Sequence, residues 1–295
     1  MCVCSRGARR CSTMRVDERV PRQIFTMWRG PPPPEIVTLC IERMRALHPG
    51  WRVTALNGTD EEPCEGLERL SMQHQSDWAR ICAIERHGGV WLDATCICTQ
   101  PVDRWVDMTS SQLQGFSAPF AADVLENWAF AAPAGNAFVR AWKEEFSRAI
   151  RMGFDAYKAS LPPHVRDHAL YGQLPYLTMH ACYLVVSHLR DKGAAMTPSC
   201  DGPFRYLCET GFDTRRSVHL LATRPLVDAP PLIKLRGPER MAVNRCSRGS
   251  FLHRMGLRTA ERERWVFRVC GVVVVVALAL GVAWSVLRAR SDARR

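Results

Sequence analysis

The run Ser76-Asp77-Trp78-Ala79-Arg80-Ile81-Cys82-Ala83-Ile84-Glu85-Arg86-His87-Gly88-Gly89-Val90-Trp91-Leu92-Asp93-Ala94-Thr95 reads as a helix, a stop, a strand and an acid. Ser76 has the side chain of an N-cap. Gly88 or Gly89 supplies the left-handed stop that a helix C-terminus favours. Val90-Trp91-Leu92 is short, wholly apolar and rich in strand formers, which predicts a buried strand. Asp77 and Arg80 lie three apart and share one helix face, which Ser76 as cap would place in the first turn. Asp93 follows the strand at its carboxyl end, where ligands sit in open α/β sheets. A helix N-terminus there also favours an anionic group. Three charged side chains are thus expected to converge on one crevice. Each has a bland alternative: Asp77 as an acid on a helix dipole, Arg80 as its surface ion-pair partner. Asp93 is harder to dismiss, because an acid between Val-Trp-Leu and Cys96-Ile97-Cys98 is costly to bury without a partner.

Upstream, Ile24-Phe25-Thr26-Met27-Trp28 reads as another buried strand, ended by Arg29-Gly30 and four prolines that cannot join a ladder. Ile36, Leu39, Cys40, Met44 and Leu47 keep helical spacing from Glu35, and His48-Pro49-Gly50 stops that helix. Trp51 to Leu56 alternates as a strand. Strand, helix and strand in so few residues make a βαβ unit, so a parallel sheet is expected here. Downstream, Asn127 to Ala132 reads as a strand and Ala137 to Ile150 as a helix with Phe138, Val139, Trp142, Phe146 and Ile150 inward. Asp123 and Glu126, before that strand, read as surface acids. Leu161-Pro162-Pro163-His164 reads as a loop and Tyr176 to Leu189 as an apolar helix, in which His180 and His188 receive no role. Ile233-Lys234-Leu235-Arg236-Gly237 is a basic segment that suits either a phosphate or solvent.

The chain has 295 residues, 47% hydrophobic and 23% charged, which excludes a wholly disordered protein. Its formal net charge is +11, yet residues 234–295 alone hold 14 basic and 4 acidic side chains. The remaining 26 basic and 25 acidic residues nearly cancel, so the body lacks the overall basic excess that would suggest nucleic acid. Val269 to Leu287 runs without a charge, with Trp265 and Trp284 near its ends and arginines on both flanks. As a helix it would span about 28 Å, close to the thickness of a bilayer's hydrocarbon core. The expectation is a single-pass C-terminal anchor, with the body on the cytosolic side and membrane lipids among its partners, since no apolar run marks a secretory signal near Met1. The expected plan is a polar tail over 1–20, a body over 21–240, a basic segment over 241–264, the transmembrane helix over 265–288 and a short tail over 289–295.

Thirteen cysteines without a secretory signal imply no disulfide framework. Cys82, Cys96 and Cys98 are expected as buried free thiols. Cys2, Cys4 and Cys11, or the Cys96-x-Cys98 pair, would be the places for zinc, but neither has the spaced partners a zinc site needs. The N-terminal trio beside arginines would also suit palmitate.

The run Ser76-Asp77-x-x-Arg80, then Gly88-Gly89-Val90-Trp91-Leu92-Asp93-Ala94-Thr95, resembles the capsular polysaccharide synthesis protein family. That family is similar to the sugar-binding DXD glycosyltransferases of the mannosyltransferase and large clostridial toxin type. The likeness extends to Ile24–Gly30, to Glu126-Asn127-Trp128-Ala129-Phe130-Ala131-Ala132-Pro133, to Gly135-Asn136-Ala137-Phe138, to Gly202-Pro203-Phe204 and to Lys234-Leu235-Arg236-Gly237. It implies an α/β GT-A fold, Rossmann-like, that takes a nucleotide-sugar, most readily a UDP-sugar, and transfers the glycosyl group to a glycan, lipid-linked or polymer hydroxyl. By the same resemblance Trp28 would stack on the base, Asp77 and Arg80 would hold sugar hydroxyls, and Asp93 would bind the ribose or sugar and help place Mn²⁺ or Mg²⁺. Thr95 departs from the pattern, standing where the second acid of DXD holds the cation. A hydroxyl is a poor ligand for a hard cation. Lys234 and Arg236 would then neutralise the leaving diphosphate instead. A degenerate, membrane-anchored member that binds nucleotide-sugar or glycan without turnover is the alternative, and a zinc-built interaction module is a third.

Overall fold

A computed structural model describes residues 19–58, 62–190 and 193–243. In chain order the strands and helices are β1 (Gln23–Met27), α1 (Glu35–Leu47), β2 (Arg52–Leu56), α2 (Met72–His87), β3 (Gly89–Leu92), β4 (Cys96–Cys98), β5 (Gln114–Ala118), β6 (Ala121–Ala132), α3 (Ala137–Met152), α4 (Phe154–Ser160), α5 (Pro163–Arg166), α6 (Thr178–His188), β7 (Ala195–Pro198), α7 (Arg205–Glu209), α8 (Thr214–Thr223), β8 (Leu232–Lys234) and α9 (Gly237–Ala242). The described residues form two compact units, one drawn from 19–31, 47–94 and 101–199, the other from 32–46, 95–100 and 200–243.

The first unit is built on a six-stranded sheet in the order β2-β1-β3-β6-β5-β7. The expected parallel pairing holds for β1 with β2 and for β1 with β3, where Phe25 faces Trp91. The sheet then turns mixed: β6 runs antiparallel to both β3 and β5, and β5 is parallel to β7. β6 is longer than the sequence suggests, starting at Ala121 rather than Asn127, so Asp123 and Glu126 belong to the strand. α2, α3 and α6 contribute much of the core, with Trp78, Ile81, Ile84, Phe138, Trp142, Phe146 and Tyr183 buried alongside Trp91 and Phe130. All five residues expected to face inward on α3 are buried, and Asn136 caps that helix by accepting from the Phe138 and Val139 amides.

α2 departs from its expected start. Ser71, not Ser76, is the N-cap, because nothing in Met72-Gln73-His74-Gln75 opposes helix and the hydroxyl of Ser71 accepts from the His74 amide. Asp77 and Arg80 therefore sit in the second and third turns, beyond the reach of the helix-end dipole. The helix is also buried all round from Asp77 to Ile84, which is why no clean polar face marks it in the sequence. Gly88 ends it as expected, at φ +64°. Pro163 and His164, read as part of a loop, open a single helical turn that runs to Arg166.

The second unit holds α1, whose bounds match the expected helix, and a two-stranded antiparallel sheet of β4 and β8 with Cys96 opposite Lys234. Cys40, Cys96 and Cys98 are buried free thiols there, and Cys82 is one in the first unit. Burial pushes Cys98 up to about 12, so it stays a protonated, inert thiol at neutral pH. One pairing corrects the reading of no disulfides: Cys200 and Cys208 are bonded. They stand eight residues apart, across the turn into α7, where spacing carried no signal. No helix among the described residues is long and apolar enough to cross a membrane. The apolar run 269–287, the basic segment from residue 244 onward and Cys2, Cys4 and Cys11 lie outside the described residues.

Candidate functional site

β3 delivers Asp93 to the carboxyl edge of the sheet in the first unit. The register puts Trp28 at the same edge, since β1 is parallel to β3 and ends at Met27. Trp28 is half-buried there, and its indole N–H donates to the Pro31 carbonyl at 3.0 Å. The Asp93 amide donates to Trp128 O at 2.8 Å, so β6 continues past the end of β3 and carries Asn127 and Glu126 to that edge.

The three charged residues read from the sequence do converge. Arg80 places Nη1 3.0 Å from Asp77 Oδ1 and Nη2 3.2 Å from Asp93 Oδ1. Its side chain is only 6% exposed, so the pairing is an interior one and not a surface bridge. The guanidinium also donates to the Asn127 carbonyl at 3.0 Å and to Ser76 O and Oγ, both at 3.3 Å, and lies over the Trp91 ring at 5.4 Å. Ser76, expected as a cap, thus serves Arg80 instead. Trp91 Nε1 donates to Asp93 Oδ1 at 3.0 Å. The Asp93 side chain is 23% exposed, against 10% for Asp77, so Asp93 is the more open of the two acids and Asp77 the more enclosed. Burial pushes the Asp77 carboxyl above the usual carboxylate range, against the opposing pull of Arg80, His180 and His74.

Three further residues complete this cluster and were missed in the sequence. Asn127 Nδ2 donates to Asp77 Oδ1 at 2.9 Å. Glu126, expected at the surface, is buried and faces His180 across 3.5 Å from Oε2 to Nε2. His180, given no role, brings its Nδ1 into the interior with no hydrogen-bond partner among the described residues. The one available signal was the pair of polar residues directly before Trp128-Ala129-Phe130, an expensive place for a carboxylate to be buried.

Thr95, Lys234 and Arg236 belong to the second unit. Lys234 is buried, and its Nζ donates to Thr95 Oγ1 at 2.9 Å. Arg236 is held by Glu239 through Nη2 at 2.7 Å and Nε at 2.9 Å. Burial would raise Glu239, but the hydrogen bonds from Arg236 and Thr214 outweigh it and hold its carboxyl below the usual range. By themselves the residues present offer a divalent cation a sparse ligand set. Asp93 Oδ1 is shared by Arg80 and Trp91, the hydroxyl of Thr95 already accepts from an ammonium, and no group of three or more His, Cys, Asp or Glu among the described residues could hold a metal.

Residues 66–148 match the model of the capsular polysaccharide synthesis protein family. That is under a third of the chain, but it contains Asp77, Arg80, Asp93, Glu126 and Asn127, so the resemblance read from Ser76 to Thr95 is shown where the cluster lies. No curated protein matches the sequence. Three solved structures to which the chain is similar are glycosyltransferases. The PaToxG glycosyltransferase is 14% identical, over 58% of this chain and 76% of its own, with a TM-score of 0.38. A glycosyltransferase involved in glycosylation of the major capsid of PBCV-1 is 12% identical, over 76% and 97%, at 0.44. The glycosyltransferase GlyE of Streptococcus pneumoniae TIGR4 is 12% identical, over 74% and 55%, at 0.36. Likeness of this order fixes neither the fold nor an activity.

Proposed function

We propose that the protein is a glycosyltransferase that binds a nucleotide-sugar, a UDP-sugar first among them, at the carboxyl edge of β3. The observation that supports this is the buried Arg80 guanidinium bridging Asp77 and Asp93 inside the segment that matches the capsular polysaccharide synthesis family. A guanidinium locked on two carboxylates fixes the orientation of Asp93, and a fixed acceptor can select among ribose or sugar hydroxyls. Trp28, at the same edge, would offer a ring to the base. Because the protein ligands for a hard cation are sparse, no step is routed through one. Catalysis would rest on positioning and on fixed charge at the leaving diphosphate. Lys234 and Arg236 keep that last role as a proposal. Replacing both with Ala should slow transfer far more than it lowers stability, and equal losses would rule the role out.

The mixed α/β sheet suits a GT-A domain, and the acceptor would be a glycan or a lipid-linked hydroxyl. The run 269–287 would tether the body to a membrane. The binding step is tested by melting the full chain with UDP. A ligand at 100 times its Kd adds about 2.7 kcal/mol, which raises the Tm of the wild type. Asp93→Ala should lose that rise, and an equal rise in both proteins would place UDP elsewhere. Thr95, with its hydroxyl spent on Lys234, favours a second reading, in which a degenerate member binds the donor without turnover. Measured release of nucleotide separates the two.

A further inference from the structure

Arg29 follows Trp28 at the carboxyl edge of the first unit, and the contacts that fix Asp93 make no use of it. Phe25 of β1 is level with Trp91 of β3, so the chain leaves β1 at the level of Asp93. Neighbouring strands stand about 4.8 Å apart, which brings the two strand ends close. Arg29 Nη1 donates to Gln75 Oε1, and Gln75 is itself tied to the Leu70 carbonyl through Nε2 at 2.9 Å. Gln75 precedes Arg80 by five residues on α2, about 7.5 Å along the helix axis. The same helix therefore holds Arg29 with one turn and, through Arg80, Asp93 with a later one.

The loop after β2 is shaped around the same side chain. A Cβ at Gly58 would lie 3.1 Å from Arg29 Cδ and 3.2 Å from its Nη1, so a larger residue there would press on the arginine. Arg29 is exposed, yet it is a placed cation and not a loose one. Its charge is also not offset. The guanidinium of Arg80 is met by Asp77 and Asp93, that of Arg236 by Glu239, and the Lys234 ammonium donates to Thr95. The partner of Arg29 is a neutral amide, and no acid pairs with it among the described residues. A held guanidinium with an unspent charge keeps its remaining N–H donors for an anion, and their planar fork suits phosphate oxygens.

We infer that Arg29 binds a phosphate of the nucleoside diphosphate whose base lies on Trp28 and whose ribose or sugar meets Asp93. This rests on the donor-site reading above, and it supplies the cation that the diphosphate meets within the first unit. Gln75 sets the direction of the guanidinium, and the bare backbone at Gly58 leaves room for it.

The test is calorimetric titration of the folded full chain with UDP. Arg29→Gln should raise the Kd about tenfold, the loss of one charge-assisted hydrogen bond. Arg29→Lys keeps the charge and should recover part of that loss. Because the contact is an exposed one between charges, the gap between wild type and Arg29→Gln should narrow as salt rises from about 0.05 M to about 0.5 M. Uridine, which has no phosphate, should bind the wild type and Arg29→Gln alike. The salt series carries the test where uridine binds too weakly to titrate. A gap that ignores salt and is not recovered by Arg29→Lys would mean that Arg29 only shapes the edge, and overturns this inference alone. So does uridine binding weakened as much as that of UDP, or UDP affinity unchanged in Arg29→Gln while Asp93→Ala abolishes binding. UDP binding that is absent or indifferent to Asp93→Ala overturns the donor-site reading and this inference with it.

Discussion

Arg80 is where the local chemistry concentrates, because one buried guanidinium satisfies two carboxylates, a serine and a main-chain carbonyl. Breaking such a pair from one side strands charge in the interior. Arg80→Met should cost about 3–5 kcal/mol, read from denaturant unfolding, and a loss under about 1 kcal/mol would show that the cluster is not the anchor it is taken for. Glu239 makes a different prediction. Its folded carboxyl is held below its unfolded value, so its contribution to stability is full above about pH 4.3 and fades as pH falls through the folded value. Glu239→Gln should therefore lose stability against the wild type at neutral pH and converge with it on acidification. A constant difference would contradict the pairing with Arg236. Asp77, Arg80 and Asp93 were legible because their spacing along a helix and strand is local. Glu126 and His180 were not: they meet only when α6 packs on β6, and neither residue's neighbours in sequence disclose that.

At the scale of elements, most boundaries followed from apolar periodicity and turn residues, as α1 and α3 show. The start of α2 failed because two serines five residues apart both qualify as caps, and the helix-compatible Met72–Gln75 between them lets the earlier one serve. β6 failed at its start because Asp123 and Glu126 read as surface acids before the strand, whereas the strand carries both, each facing a histidine. The turn from α2 into β3 makes the sharpest prediction. A Cβ at Gly88 would lie 2.4 Å from the Ala134 amide nitrogen, and one at Gly89 2.7 Å from the Gln23 carbonyl oxygen. Both glycines have positive φ, and an added Cβ would press on the Pro133–Ala134 backbone at Gly88 and on the Gln23 backbone of β1 at Gly89. Gly89→Ala should lower stability by about 1–3 kcal/mol and disturb donor binding by shifting Asp93. At Gly153, where φ is also positive but the space is open, Ala should cost stability without touching binding.

For the molecule as a whole, the sequence separates a nearly neutral body from a strongly basic C-terminal stretch with an apolar run, and that contrast was legible from charge counting alone. What counting does not disclose is the division of the body into two units, since α1 and β4 belong by contact to a unit made mostly of residues beyond 200. The tether predicts that the full chain floats with anionic lipid vesicles while a chain ending at Arg262 does not, and equal flotation would rule out 269–287 as the anchor. The central claim is transfer from a nucleotide-sugar at Asp93. The most direct measurement is release of free nucleotide from a panel of nucleotide-sugars by the wild type and Asp93→Ala, each with and without Mn²⁺. The account predicts release from at least one donor that Asp93→Ala abolishes and Mn²⁺ leaves within a few-fold. No release from any donor, or release that survives Asp93→Ala, would contradict it.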